Sequence, residues 1–191
     1  MISTRGDNQI DIVIMAGGKG SRLGGLPKPL LEICGEKIIN RVVRVARELR
    51  PRRIFICTRS EYAAYIEDLV TENTEILVCP GRDYVEDLNY VFTKTIFPVL
   101  VLPSDTPFIT SNLLRRFLEK ALEMSIPIIN LIRCSEDKCV ETGVSLFHEP
   151  RGEWFNVIFP DTPELRDIDV PEDLEWAEGL CEYTEEIEKR E

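Results

Sequence analysis

Apolar positions along this chain fall into short continuous runs, each followed by a segment of helical period, and the pair recurs four times. IDIVIM (10–15), after a polar tail at 1–8, reads as a buried strand. EKIINRVVRVARELR (36–50) places apolar residues at 38, 39, 42, 43, 45, 46 and 49, a broad helical face. RRIFICT (52–58) is a second strand, and SEYAAYIEDLVTE (60–72) a helix with Ser60 as its cap. EILVC (75–79) is a third strand; DYVEDLNYVFTKT (83–95) opens a helix with Asp83 and Glu86 at capping-box spacing. PVLVLPSD (98–105) and TSNLLRRFLEKALEM (110–124) complete the fourth strand–helix unit. The pattern then changes: IPIINLIR, GVSLFH and EWFNVIF are strands without long helices between them, and a charged helix from Val170 closes the chain. These elements predict a three-layer α/β/α sandwich on a mainly parallel sheet, with an antiparallel C-terminal extension. Residues 9–191 are expected to form one domain.

The charge balance narrows the function. The 23 Lys and Arg against 34 Asp and Glu give a net charge of −11, which argues against a general nucleic-acid or acidic-membrane binder. The arginines at 41, 44, 47, 50, 52 and 53 are the one basic cluster; alternating with core residues on a helix, they read as a solvated face. MISTRGDNQI lacks the apolar core of a signal peptide, and no apolar run is long enough to span a bilayer, so a cytoplasmic protein without membrane insertion is expected. The cysteines at 34, 57, 79, 134, 139 and 181 form no C-x-x-C and read as reduced, mostly buried thiols, with a zinc cluster as the weaker reading. The single histidine, His148, reads as structural, which leaves little material for a histidine-based zinc site or a Ser-His-Asp relay.

Candidate chemistry lies in AGGKGSRLGGLPKPL (16–30), directly after the first strand. Its glycines at 17, 18, 20, 24 and 25 let the backbone turn tightly and present N–H donors, and Lys19, Arg22 and Lys28 suit an anion. A P-loop fails because Gly18-Lys19 is followed by Gly20; the dinucleotide fingerprint fails because Leu23 stands at its third glycine. What remains is a glycine-rich loop at the carboxyl end of a parallel strand, where open α/β sheets place ligands. Asp105 ends the fourth strand, either as a turn former before Thr-Pro or as a ligand for a hard cation. Asp169, with Pro171 and Glu172 after it, reads from its residues as a helix cap.

The stretch MAGGKGSRLGGLPKPLLEICG resembles the G-G-x-G-[ST]-R-x(n)-K-P signature of nucleotidyltransferases with the sugar-nucleotide transferase (GT-A-like) fold. GRDYVEDLN, LPSDTPF, ETGVSLF and RDIDVPEDLEWAEGL follow in that superfamily's order, and GRDYVEDLN is similar to a segment of the archaeal GTP:adenosylcobinamide-phosphate guanylyltransferases. The resemblance implies that Ala16, Gly17 and Gly18 meet the base and ribose, that Gly20, Ser21 and Arg22 hold the phosphates, and that Lys28 reaches the α-phosphate. It further implies Mg²⁺ on Asp105 and Asp169, a close backbone approach at Gly81, guanine recognition by Asp87, and Gly143 beside the acceptor. Arg22, Lys28 and Asp105 would then be the catalytic set. The implied reaction joins GMP from GTP to a corrinoid phosphate with release of pyrophosphate, in a chain that could act as a homodimer. A phosphate acceptor is already largely ionised at neutral pH, which fits the scarcity of histidine. Rival readings are a molybdenum-cofactor guanylyltransferase or a cytidylyltransferase on the same fold, and a non-catalytic nucleotide-binding regulator. Without a P-loop, no accompanying kinase activity is expected.

Overall fold

The computed structural model describes residues 10–18, 23 and 27–188, of which 182–188 are described as backbone only. Seven strands form one sheet: β1 (Asp11–Ala16), β4 (Arg53–Thr58), β5 (Thr74–Val78), β6 (Val99–Pro103), β7 (Ile128–Cys134), β8 (Cys139–Phe147) and β9 (Trp154–Pro160). Their order is β5-β4-β1-β6-β8-β7-β9, and the pair β2 (Glu32–Ile33) and β3 (Glu36–Lys37) forms a separate hairpin. β5, β4, β1 and β6 run parallel. The antiparallel character is confined to β8, which opposes both β6 and β7; β7 and β9 pair in parallel, so the extension is mixed where an antiparallel one was expected.

Strand burial separates two layers. Ile12, Ile14, Ile54, Ile56, Leu100 and Leu102 face one side, where α1 (Ile38–Glu48), α4 (Ser111–Ala121) and α5 (Pro171–Glu188) pack. Val13, Phe55, Cys57, Val99 and Val101 face the other, against α3 (Tyr84–Phe92). Both faces are therefore apolar, and the central strands read as unbroken hydrophobic runs. α1 buries its expected stripe from Ile38 to Ala46. Its arginines are not simply solvated: Arg41 and Arg44 pair with Glu36, while Arg47 donates to the Leu69 carbonyl at 2.6 Å.

Three readings change. The helix expected over 60–72 shortens to α2 (Ser60–Ala63) followed by a 3-10 turn over Ala64–Leu69. Ser60 is its first helical residue rather than its cap, and the Ser60 hydroxyl contacts the Glu61 carboxylate. The cysteines are not reduced thiols: Cys34–Cys181, Cys57–Cys79 and Cys134–Cys139 are disulfides, with Cα–Cα separations of 5.6, 5.6 and 4.1 Å. Sequence spacing conceals such pairs because the fold supplies the proximity. Parallel pairing sets Cys57 opposite Leu77, so Cys79 emerges beside it just beyond the strand end. His148 is structural as read, its Nε2 lying 3.1 Å from the Ala121 carbonyl. Among the described residues, no helix is long and apolar enough to cross a membrane.

Candidate active site

At the carboxyl ends of β1, β4, β5 and β6 a cavity of about 380 Å³ opens, lined among others by Gly17, Gly18, Arg59, Gly81, Asp87, Asp105 and Gly143. Its walls are built by chain ends that leave the sheet together. β1 delivers Ala16, whose carbonyl accepts from the buried Thr58 hydroxyl at 3.2 Å, and the backbone then passes into Gly17 and Gly18. A side chain on Gly17 would point toward Asp87, since a Cβ there would lie 3.6 Å from its Oδ2. Beyond β5, Gly81 turns the chain at φ +71°. The Gly81 N–H donates to Asp87 Oδ1 at 2.7 Å.

Asp87 sits in the first turn of α3 and is 7% exposed. The helix start is fixed by Asp83, whose carboxylate accepts from the Glu86 N–H at 2.8 Å. The Glu86 carboxylate faces Arg82. Asp87 is thereby aimed back at the glycine loops, with one oxygen holding Gly81 and the other toward Gly17. Arg59, which sequence reasoning passed over, completes this wall. It donates from Nε to the Gly17 carbonyl at 3.0 Å and from Nη2 to the Gly81 carbonyl at 2.8 Å. Its one signal in the sequence was its place directly after a parallel strand, at the end where ligands gather.

Asp105, also in the cavity lining, belongs to an ionic cluster beside it. Lys28 opens a 3-10 turn over Lys28–Leu30, between Pro27 and Pro29. Its ammonium donates to Asp105 Oδ2 at 3.2 Å and to Asp169 Oδ1. Asp105 and Asp169 are brought together by backbone, because the Ile168 N–H donates to the Asp105 carbonyl at 2.9 Å. The cap expected of Asp169 is supplied from within α5: Asp173 Oδ2 accepts the N–H groups of Asp169 and Val170 at 2.8 and 2.9 Å. Asp167 pairs with Arg133 at 3.6 Å, and its charge also reaches Asp105. Burial pushes the Asp105 carboxyl above the usual carboxylate range, and the Lys28 charge only partly opposes this. Burial works against the charged form of Lys28, but the hydrogen bond and charge of Asp169 and Asp105 outweigh it and raise its pKa.

Two carboxylates from different elements thus converge on one cationic atom beside a glycine-walled cavity. Among the described residues no third His, Cys, Asp or Glu joins them. Two hard oxygen donors with room for phosphate oxygens and water suit Mg²⁺ better than a metal that needs a full protein cage. Gly143 lies on β8 at φ +76°, and a Cβ there would meet Pro103 Cβ at 3.3 Å. Of the remaining residues singled out in the sequence, Lys19, Gly20, Ser21 and Arg22 lie outside the described residues.

A parallel sheet whose first strand runs into Gly17 and Gly18, with Asp87 and Asp105 lining the same cavity at that sheet end, is the architecture of a nucleoside-triphosphate transferase. Residues 12–130 match the MobA-like NTP transferase domain, and the chain belongs to that family. It is 34% identical over 190 residues to the adenosylcobinamide-phosphate guanylyltransferase of Methanocaldococcus jannaschii, covering 90% of this chain and 97% of that one. The molybdenum cofactor guanylyltransferase of Pseudomonas syringae pv. syringae is 33% identical, but over 59% of this chain and 55% of its own length. In fold, the chain is similar to the 4-diphosphocytidyl-2C-methyl-D-erythritol synthase structure from Anaerococcus prevotii, with a TM-score of 0.72, 13% identity, and 93% and 99% of the two chains covered.

Proposed function

We propose that the chain is an adenosylcobinamide-phosphate guanylyltransferase, which transfers GMP from GTP to adenosylcobinamide phosphate and releases pyrophosphate. The observation that carries the reading is the convergence of Lys28, Asp105 and Asp169 beside the cavity walled by Gly17, Gly18 and Gly81. The choice of acceptor rests on likeness to the guanylyltransferase of M. jannaschii along nearly the whole chain, where the molybdenum-cofactor relative matches little more than half.

In this reading the phosphate oxygen of the acceptor attacks the α-phosphorus of GTP and the bond to the β-phosphate oxygen breaks, so catalysis is positioning and charge neutralisation. Backbone at Ala16, Gly17 and Gly18 meets the nucleoside; Gly20, Ser21 and Arg22 hold the phosphates. Arg59 fixes the Gly17 and Gly81 backbones against one another, so the base enters between rigid walls. Asp87 accepts from the N1–H and N2–H₂ edge of guanine, a donor pair that adenine lacks. Asp105 and Asp169 would hold Mg²⁺, which supplies neutralisation of the triphosphate charge. Lys28 exchanges its carboxylate partners for the α-phosphate when nucleotide binds. The acceptor enters beside Gly143. No histidine is needed, because the phosphate monoester arrives ionised. Cytoplasmic action accompanies this assignment.

The test is incubation with labelled GTP, Mg²⁺ and either adenosylcobinamide phosphate or its unphosphorylated form. GMP transfer with pyrophosphate release is expected from the first and no phosphorylated product from the second. No transfer to adenosylcobinamide phosphate, with transfer to a molybdenum-cofactor pterin supplied in a parallel incubation, or phosphorylation of free adenosylcobinamide, contradicts the assignment.

A further inference from the structure

On the face of the sheet that carries α4 and α5, the apolar row of Ile129 and Leu131 runs on along β7 to Arg133, whose register partner Phe159 is buried in the same layer. The Arg133 side chain is 15% exposed, and its Nε is buried without a hydrogen-bond partner among the described residues. A guanidinium taken this far out of water is tolerated where carboxylates offset the loss. Arg133 has two of them. Its Nη1 donates to Asp161 Oδ1 at 2.7 Å, and its Nη2 stands 3.6 Å from Asp167 Oδ1.

Those carboxylates bracket the segment that delivers Asp169. It begins just beyond β9 at Asp161, whose N–H donates to the Cys134 carbonyl at 3.0 Å. A 3-10 turn over Pro163–Leu165 follows, and Leu165 and Ile168 are buried in the core. Asp161 has a second cation, Arg166 at 3.6 Å, so it stays paired without Arg133. Asp167 does not: among the described residues, Arg133 is the one cation it pairs with. Asp167 precedes Ile168, whose N–H donates to the Asp105 carbonyl, and its charge reaches Asp105. Three carboxylates therefore gather at this end of the sheet, and among the described contacts only Asp105 and Asp169 meet Lys28.

We propose that Arg133 is a positioning residue: by binding Asp167 it keeps a third carboxylate from competing for Lys28 and for the metal–triphosphate, so that Asp105 and Asp169 act as a pair. The inference rests on the reading of that cluster as part of the nucleotide site. Its physical basis is charge. Freed from Arg133, Asp167 adds a hard oxygen donor and a negative charge beside Asp105. A divalent ion is then held more tightly by protein and less by the phosphates, and Lys28 gains a partner other than the α-phosphate. Lysine at position 133 would supply a point charge but not a fork that spans two carboxylates.

The test combines Mn²⁺ titration of the nucleotide-free protein, followed by electron paramagnetic resonance, with kcat and with GTP affinity measured in EDTA. Arg133→Ala is expected to bind Mn²⁺ about fivefold more tightly while kcat falls about tenfold. Its metal-free GTP affinity should stay within about twofold of native. Adding Asp167→Asn removes the loose charge and should return Mn²⁺ affinity and kcat to within about threefold of native. That reversal separates positioning from bracing, because a variant that merely loosens the fold gains nothing from the second substitution. Arg133→Gln, which can still donate to Asp161, carries the same comparison should the alanine variant melt well below native. Unchanged Mn²⁺ affinity, unchanged kcat, or a double variant no better than the single one overturns the proposal. If the native protein transfers no GMP to adenosylcobinamide phosphate, the functional reading fails, and the Mn²⁺ titrations still decide the role of Arg133.

Discussion

Asp87 is held by the Gly81 amide on one oxygen and looks toward Gly17 with the other. Replacing it with asparagine keeps an acceptor for Gly81 but puts an N–H₂ group where guanine donors would arrive. GTP affinity measured by calorimetry should fall about tenfold or more, while the melting temperature stays near that of the native chain; equal affinity would remove Asp87 from base reading. Asp105 shows the opposite balance. Its carboxyl pKa is raised by burial, so the folded state holds that proton more tightly than the unfolded chain does. As pH rises from the ordinary carboxylate range through the raised value, this group costs stability. Asp105→Asn should therefore melt no lower than the native protein at neutral pH, while losing about 10²–10³ in transfer rate. At Gly143 the constraint is backbone: φ +76° and the Pro103 contact make alanine cost about 1–2 kcal/mol in chemical denaturation. Asp105 drew notice in the sequence by its place at a strand end and Asp87 through the family resemblance, and both line the cavity. Arg59 was not, because the contacts that place it in the wall are to the Gly17 and Gly81 carbonyls, which no side-chain pattern announces.

At the scale of elements, the parallel strands, α1, α3 and α4 were readable because each carries an unbroken apolar run or a 3.6-residue stripe. The short α2 was not, since the 3-10 turn after it uses the same apolar spacing over too few residues to separate the two. The disulfides were hidden for a topological reason. Cys57 and Cys79 become neighbours only through the β4–β5 register, and Cys34 and Cys181 are separated by 147 residues. Each has a consequence. Cys34–Cys181 ties α5 to the β2–β3 turn that follows Lys28, and Cys181→Ser should cost about 2–5 kcal/mol in denaturant unfolding. Cys57–Cys79 joins the strand ends that carry Arg59 and Gly81. Thiol titration of the unfolded, unreduced protein should find none of the six cysteines reactive; free thiols would contradict the pairing.

Across the whole molecule, one sheet carries two different tasks. Its parallel half, packed with helices on both faces, holds the loops that wall the cavity; its mixed half, with β8 reversed, brings Gly143 to the cavity rim, with Trp154 and Ile158 exposed among the described residues. The sequence pattern announced the change from one half to the other, but not which strand would reverse, because a buried strand reads alike in either direction. The exposure of Trp154 and Ile158, and the aim of Lys28 at two carboxylates distant in sequence, required coordinates. The central claim is that the glycine-walled cavity and the Lys28–Asp105–Asp169 cluster form one nucleotide site. The most direct measurement is a crystal structure of the complex with GTP and Mg²⁺. The account predicts the guanine near Asp87, the triphosphate running toward Lys28, and an ion between Asp105 and the phosphates. A nucleotide bound elsewhere, with Lys28 still paired to both carboxylates, would contradict it.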